Sequence, residues 1–197
     1  MATAPQPRIT PEDYLEFERS SDVRHEFDRG KLCAVSGASF RHGLISANLM
    51  RELGVRLQGQ PCAAISSDLR VCVHPNGLYA YPDVLVVCGP PQFLDGQFDT
   101  LLNPSLIIEI LSDSTERYDR GEKFAQYQRI ESLRAYVLVS QALMRVEWFT
   151  RRDDETWTYQ TANAPDGVLD LPDALSLPIS IPLSAIYDRV EFDPSRP

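Results

Sequence analysis

The run from Leu106 to Leu111, "LIIEIL", constrains this chain more than any other stretch. Five of its six residues are Leu or Ile, and the sixth is Glu109. Pro104 precedes the run and "SDST" follows it, so it reads as a short, buried, central strand. An ionised carboxylate in such a strand costs several kcal/mol unless something pairs with it. Two explanations stand open at this point. The strand end reaches solvent, or an arginine satisfies Glu109, and the acid is structural. Otherwise Glu109 belongs to a site.

The surrounding sequence supplies a sheet and helices for that strand. Thr10 as cap, Pro11 at the first helical position and acids behind it start a short helix. "RHEFDRGKLCAVSG" reads as a hairpin turning at Asp28-Arg29-Gly30. From Ser39, Leu44, Ile45, Leu49, Leu53 and Leu57 recur at helical spacing, with a stop near Gln58-Gly59. "AAISSDLRVCVH" and "AYPDVLVVCG" are expected as strands joined by Pro75-Asn76-Gly77. After the strand of Glu109, a helix is expected over about 116 to 130. Then "RAYVLVS" makes a strand, "RVEWFTR" with "TWTYQTA" a hairpin, and "PDALSLPISIPLSAIYDRV" a Pro-broken edge segment with a short terminal helix. This order predicts one α/β or α+β domain over residues 10–190, a mixed central sheet flanked by helices, with flexible ends at 1–9 and 191–197. The length of 197 residues is enough for one such core.

Charge and cysteines narrow the partners. A net charge of -9 argues against a generic polyanion binder, so any nucleic-acid contact needs a local basic surface or bound divalent cations. No apolar run approaches the roughly 20 residues of a membrane span, and "MATAPQPRIT" has no signal-peptide core, so no membrane contact and a cytoplasmic location are expected. Cys33, Cys62, Cys72 and Cys88 form no CxxC pair and are expected as free thiols.

Asp83 is the second polar oddity. It follows Pro82 and starts the apolar strand "VLVVC", where an aspartate is often only a turn residue. With Glu109 it makes a pair of acids on apolar strands of one sheet, and like charges brought together repel unless a cation lies between them. A hard divalent ion, Mg²⁺ or Mn²⁺, fits two carboxylates, with the main-chain carbonyl of Ile110 as a third oxygen. Lys123 shares a helix face with Asp119 and Tyr127 at i, i+4 spacing. The plain reading is a surface Asp–Lys pair beside a packed tyrosine. The helix follows the strand of Glu109 directly, however, so this lysine can reach a phosphate or the attacking water.

"YPDVLVV" followed by "PSLIIEILSDSTERYDRGEKFAQYQRIESLRAYVLV" resembles a widespread bacterial family described as restriction endonucleases. That family is abundant in cyanobacteria and belongs to the PD-(D/E)XK nuclease-like superfamily. The likeness runs from about Pro11 to Tyr187 and implies a metal-dependent nuclease fold, with Asp83 as the D of the motif and Glu109 as its D/E. The chain departs from the superfamily pattern at Leu111, where the lysine should stand; the resemblance implies that Lys123 replaces it. It also matches Glu26 to a recurrent acid of the first hairpin, as an additional ligand or a salt-bridge partner. His42 matches a recurrent histidine that either faces the site or caps the long helix. Asp68, in the strand before "PD", is a candidate hydrogen-bond partner of the site. Arg117 and Arg120 are candidate phosphate contacts, although interleaved acids leave their helix nearly neutral. His25 and His74 read as surface residues.

These residues lead to a Mg²⁺- or Mn²⁺-dependent endonuclease acting on DNA, expected as a homodimer through the "LSLPISIPL" edge. The first rival is a catalytically inactive nuclease-like module that binds a protein or nucleic acid. The second is an acid-pair hydrolase of a small substrate.

Overall fold

The structure, a computed structural model, describes residues 9–35, 37–75, 77–164, 166–172, 175 and 177–192. Of the ends expected to be flexible, 1–9 and 191–197, residues 1–8 and 193–197 lie outside the described residues, as does Asn76 of the expected turn.

The chain opens with α1 (Pro11–Ser20). Thr10 Oγ1 accepts from the Asp13 amide while the Asp13 carboxylate accepts from the Thr10 amide, a reciprocal cap behind Pro11. Next come β1 (His25–Asp28) and β2 (Lys31–Ala34). Arg29 and Gly30 between them carry φ of 47° and 91°, the positive pair that a two-residue hairpin turn requires. The long helix α2 (Phe40–Arg56) buries Ile45, Leu49 and Leu53. There follow β3 (Cys62–Ser66), β4 (Arg70–Cys72), β5 (Leu78–Ala80), β6 (Val84–Cys88), β7 (Thr100–Leu101) and β8 (Leu106–Leu111). One helical stretch then runs through α3 (Glu116–Tyr118), a π turn (Asp119–Lys123) and α4 (Phe124–Tyr127). The chain closes with β9 (Ala135–Ser140), β10 (Arg145–Arg151), β11 (Trp157–Asn163), β12 (Val168–Leu171), β13 (Ile179–Pro182) and α5 (Leu183–Ile186).

The main sheet has the order β11-β10-β9-β8-β6-β3, with β8 and β9 parallel and its other pairs antiparallel. β8 is therefore central, and all six of its residues are buried. Its side chains alternate between two cores. Leu106, Ile108 and Ile110 face α2 and the β12–β13 hairpin. Ile107 and Leu111 face Phe124, Tyr127 and the smaller sheet. Glu109 takes the second side by alternation, toward the helix that carries Lys123.

Three expectations need correction. The two predicted strands before Gly89 are four, divided between two sheets. β4 and β5 belong to a smaller sheet, β2-β1-β5-β4-β7, while β3 and β6 belong to the main one. The break at Tyr81-Pro82-Asp83 moves the chain from one to the other. The "LSLPISIPL" run is consumed by its own fold: Leu175, Ile179, Ile181 and Leu183 lie in the α2 core, so this stretch offers little apolar surface to a second copy. The cysteines are not all free, because the register of β3 on β6 sets Cys62 directly opposite Cys88, and the two are joined in a disulfide. Cys33 and Cys72 remain as thiols.

Unreduced, denatured protein should therefore titrate two thiols, Cys33 and Cys72. Reduction should lower stability by about 3 kcal/mol, given the 26-residue separation of the bridged pair. Four titratable thiols before any reductant would refute the bridge.

Among the described residues, no helix is long and apolar enough to cross a membrane.

Candidate active site

The site forms where β6 and β8 part. The last paired residues are Val84 and Ile108, so one more step of the antiparallel register sets Asp83 opposite Glu109. The ladder ends there because Asp83 replaces a backbone acceptor: its Oδ2 takes the Ile110 amide proton at 2.7 Å. In an extended strand the N–H and C=O of one residue point the same way, so the Ile110 carbonyl faces the Asp83 side too. The other Asp83 oxygen lies 3.0 Å from His42 Nε2. His42 stands in the first turn of α2, where Ser39 Oγ accepts its amide proton. The cap is therefore Ser39 and not His42, whose ring is turned to Asp83.

Lys123 reaches the same point from the π turn. Its Nζ lies 3.0 Å from Glu109 Oε1, 3.0 Å from Glu26 Oε1 and 3.6 Å from Asp119 Oδ1. Tyr127, one turn on, donates its hydroxyl proton to Glu109 Oε1 at 3.0 Å. Glu26 comes from β1 of the smaller sheet and also accepts the Tyr81 amide proton at 3.2 Å. Two sheets and two helical segments therefore converge on one charged cluster. A lone π turn is rare in helices and is found often at functional sites.

Burial sets the electrostatics. Glu109 is 4% and Lys123 5% exposed. Desolvation pushes the Glu109 carboxyl well above the usual carboxylate range; the Lys123 ammonium opposes this, and Asp119, Asp83 and Glu26 add to it. Desolvation also raises Asp119, again against Lys123. Burial disfavours the charge on Lys123, but Glu109, Glu26 and Asp119 outweigh it and hold the ammonium. One ammonium thus serves several carboxylates. Glu109 and Asp119 are both driven toward protonation, Glu109 the further. Tyr127 stays a phenol because burial raises it far above its ordinary value.

Glu26, His42, Asp83, Glu109, Asp119 and Lys123 line the inner wall of an open cleft of about 1250 Å³. Among the described residues, no three His, Cys, Asp or Glu side chains form a ready metal cage. The candidate cation site is smaller: the Asp83 and Glu109 carboxylates with the Ile110 carbonyl. The donors are all hard oxygens, and the surplus of negative charge is the kind a divalent cation relieves, so the chemistry of the set fits Mg²⁺ or Mn²⁺.

Residues 11–184 match the Uma2 family, whose description reads "Putative restriction endonuclease". This chain belongs to the Uma2 family. Two uncharacterised proteins of Synechocystis sp. are similar to it. One is 34% identical over 190 residues, covering 96% of this chain and 97% of the relative. The other is 33% identical over 157 residues, covering 80% and 89%. A crystal structure described as "a putative nuclease belonging to DUF820", from Anabaena variabilis, has a TM-score of 0.75 at 15% identity, covering 93% of this chain and 99% of that one. That likeness is one of fold, and it agrees with the nuclease-like fold the sequence resemblance implies.

In this Uma2 protein the departure at Leu111 has a physical counterpart. Leu111 lies two residues from Glu109 on the same strand face, but it is buried among Phe124, Leu138 and other apolar side chains. The helix brings an ammonium to Glu109 instead. Asp68 is not brought in; it is exposed and pairs with Arg24 at 3.1 Å. Arg117 is exposed, and neither it nor Arg120 lines the cleft. Arg120 is spent on Glu116 at 2.7 Å and Glu147 at 2.6 Å. His25 is not a plain surface residue, since its Nδ1 lies 3.0 Å from buried Glu18. Asp119 was legible only as a surface partner of Lys123, yet it is 3% exposed and belongs to the cluster. Its place on the face shared with Lys123 and Tyr127, just after β8, was the available signal.

Replacing Tyr127 by Phe should cost about 1–3 kcal/mol, because it leaves the buried Glu109 oxygen with one donor fewer. Urea unfolding measures it; an unchanged midpoint would mean that Glu109 does not depend on the phenol.

Proposed function

We propose that this protein is a divalent-cation-dependent nuclease that hydrolyses phosphodiester bonds in DNA. The observation that carries the reading is the register position of Asp83 opposite Glu109, with the Lys123 ammonium 3.0 Å from Glu109 at the wall of an open cleft. Membership of a family described as restriction endonucleases supports it.

Asp83, Glu109 and the Ile110 carbonyl would hold Mg²⁺ or Mn²⁺. When bound there, such an ion polarises a phosphate oxygen and acidifies a water. The chain's own residues do the rest. Lys123 places fixed positive charge beside the reacting phosphate, and Glu26 and Asp119 hold it there. Their carboxylates keep it an ammonium, which supports a role in charge stabilisation over one as a general base. His42 fixes the Asp83 carboxylate from the side opposite Ile110.

The test is supercoiled plasmid incubated with Mn²⁺, with EDTA as control. Cleavage in Mn²⁺ alone is expected. DNA binding without cleavage would favour the inactive nuclease-like module, a reading suited to a cluster in which Glu109 Oε1 already serves both Lys123 and Tyr127. Neither binding nor cleavage of DNA would favour a small-substrate hydrolase. Among the described residues one chain carries one such site, so cutting both strands calls for a homodimer, which light scattering tests against the 22.2 kDa monomer.

A further inference from the structure

The rim of the cleft has a chemistry distinct from its acidic wall. Phe40 lines it and is 84% exposed, the highest among the large apolar side chains of the described residues. Val23 and Val35, also exposed, stand on the same rim. Exposed apolar residues scattered singly need no explanation, but several at one cleft mouth do. The ring is presented on a rigid base. Phe40 is the first residue of α2, directly after Ser39. The Ser39 hydroxyl accepts the His42 amide proton and donates to Gln141 Oε1 at 2.7 Å.

Three arginines border the same cleft. Arg24 is braced by the Ser67 carbonyl at 2.6 Å and by the exposed Asp68 carboxylate at 3.1 Å, and Arg41 by the Gln141 carbonyl at 3.0 Å. Arg189 is exposed on a backbone with φ of 59°. These guanidiniums stand among Asp22, Asp113 and Glu191 of the same cleft, so they offer point contacts to phosphates and not a continuous basic field. They also take the place that the sequence assigned to Arg117 and Arg120.

We propose that the cleft selects single-stranded DNA, with Phe40 stacking an unpaired base and Arg24, Arg41 and Arg189 holding the phosphates on either side of it. This deepens the nuclease reading and rests on it for the identity of the ligand. A duplex hides its base faces in the stack, so an open ring beside arginines gains from a base only where the strand is unpaired. Stacking of this kind is tolerant of sequence.

The test is fluorescence anisotropy of a labelled 12-nucleotide strand and of the same strand in a blunt duplex, with the full chain in EDTA so that nothing is cut. The single strand should bind about 10-fold or more tightly than the duplex, and Phe40→Ala should weaken it by about 10-fold or more while Phe40→Trp retains it. With three phosphate contacts, log K should fall with log salt at a slope of about -2, and Arg189→Ala should flatten that slope by about 0.7. Equal binding of both DNA forms, or a Phe40→Ala variant that binds the strand as the wild type does, would overturn the proposal. An RNA strand held more tightly than DNA would overturn its choice of ligand. Cleavage is scored separately: Phe40-dependent strand binding with no Mn²⁺ cleavage refutes the nuclease reading alone, and cleavage indifferent to Phe40 refutes the strand preference alone.

Discussion

Replacing Lys123 by Met should unfold the protein at a markedly lower temperature in EDTA, and Mn²⁺ should restore more of the loss than it adds to the wild type. The side chain is buried, and three carboxylates lie within 3.6 Å of its nitrogen. Removing one partner of a buried ionic group strands the rest, at a cost of about 3–5 kcal/mol. At roughly 2–4 °C per kcal/mol for a domain of this size, the midpoint should fall by about 6–20 °C. Methionine keeps the length of the stem, so the loss reports charge more than volume. A divalent cation between Asp83 and Glu109 would supply part of the missing positive charge, and the variant should therefore bind Mn²⁺ more tightly than the wild type. Cleavage should nevertheless fall by about 100-fold or more, because the bound ion does not replace an ammonium aimed at the phosphate. A variant as stable as the wild type would show that Lys123 neutralises nothing. One that keeps full cleavage would remove it from the chemistry.

How far the sequence disclosed this arrangement depends on the range of the interactions. The turn at Arg29-Gly30, the span of α2 and the burial of β8 follow from short-range rules, namely turn chemistry, helical spacing and a continuous apolar run. Asp83 and Glu109 were legible because an acid on an apolar strand contradicts its surroundings. Other features rest on pairings that local pattern does not encode. The passage from β5 to β6 between two sheets turns on three residues, Tyr81 to Asp83, and "AYPDVLVVCG" reads equally well as one strand. The Cys62–Cys88 bridge depends on a register between strands about 20 residues apart. The sequence offers Arg120 the acids of its own helix, and only the fold reveals Glu147 on β10 beside it. Asp119 is the converse case. It is buried in a π turn that helical spacing does not announce, with its main-chain carbonyl accepting the Tyr136 hydroxyl proton at 3.0 Å.

Asp83→Asn should leave the fold intact and abolish cleavage. The substitution is close to isosteric, and the asparagine carbonyl oxygen can still accept the Ile110 amide proton that now reaches Asp83 Oδ2 at 2.7 Å. Its amide group can donate to His42 Nε2 in the Nδ1–H tautomer; that nitrogen now lies 3.0 Å from Oδ1. Both hydrogen bonds that join β6 to β8 and to α2 therefore survive, and urea unfolding in EDTA should move by less than about 1 kcal/mol. What disappears is one formal negative charge at the mouth of the pair. Glu109 is driven toward protonation partly by Asp83, so without that charge Glu109 ionises more readily, yet the cation loses one of its two carboxylates. Mn²⁺ affinity should drop by about 100-fold, and plasmid cleavage by at least as much. Calorimetric titration of the apoprotein with Mn²⁺ gives the first quantity and a nicking assay the second. Because stability is held constant, the result separates the two readings of the acid pair. A variant that unfolds normally, binds Mn²⁺ as the wild type does and still cuts DNA would leave Asp83 as a strand-end cap, with its role confined to satisfying Ile110.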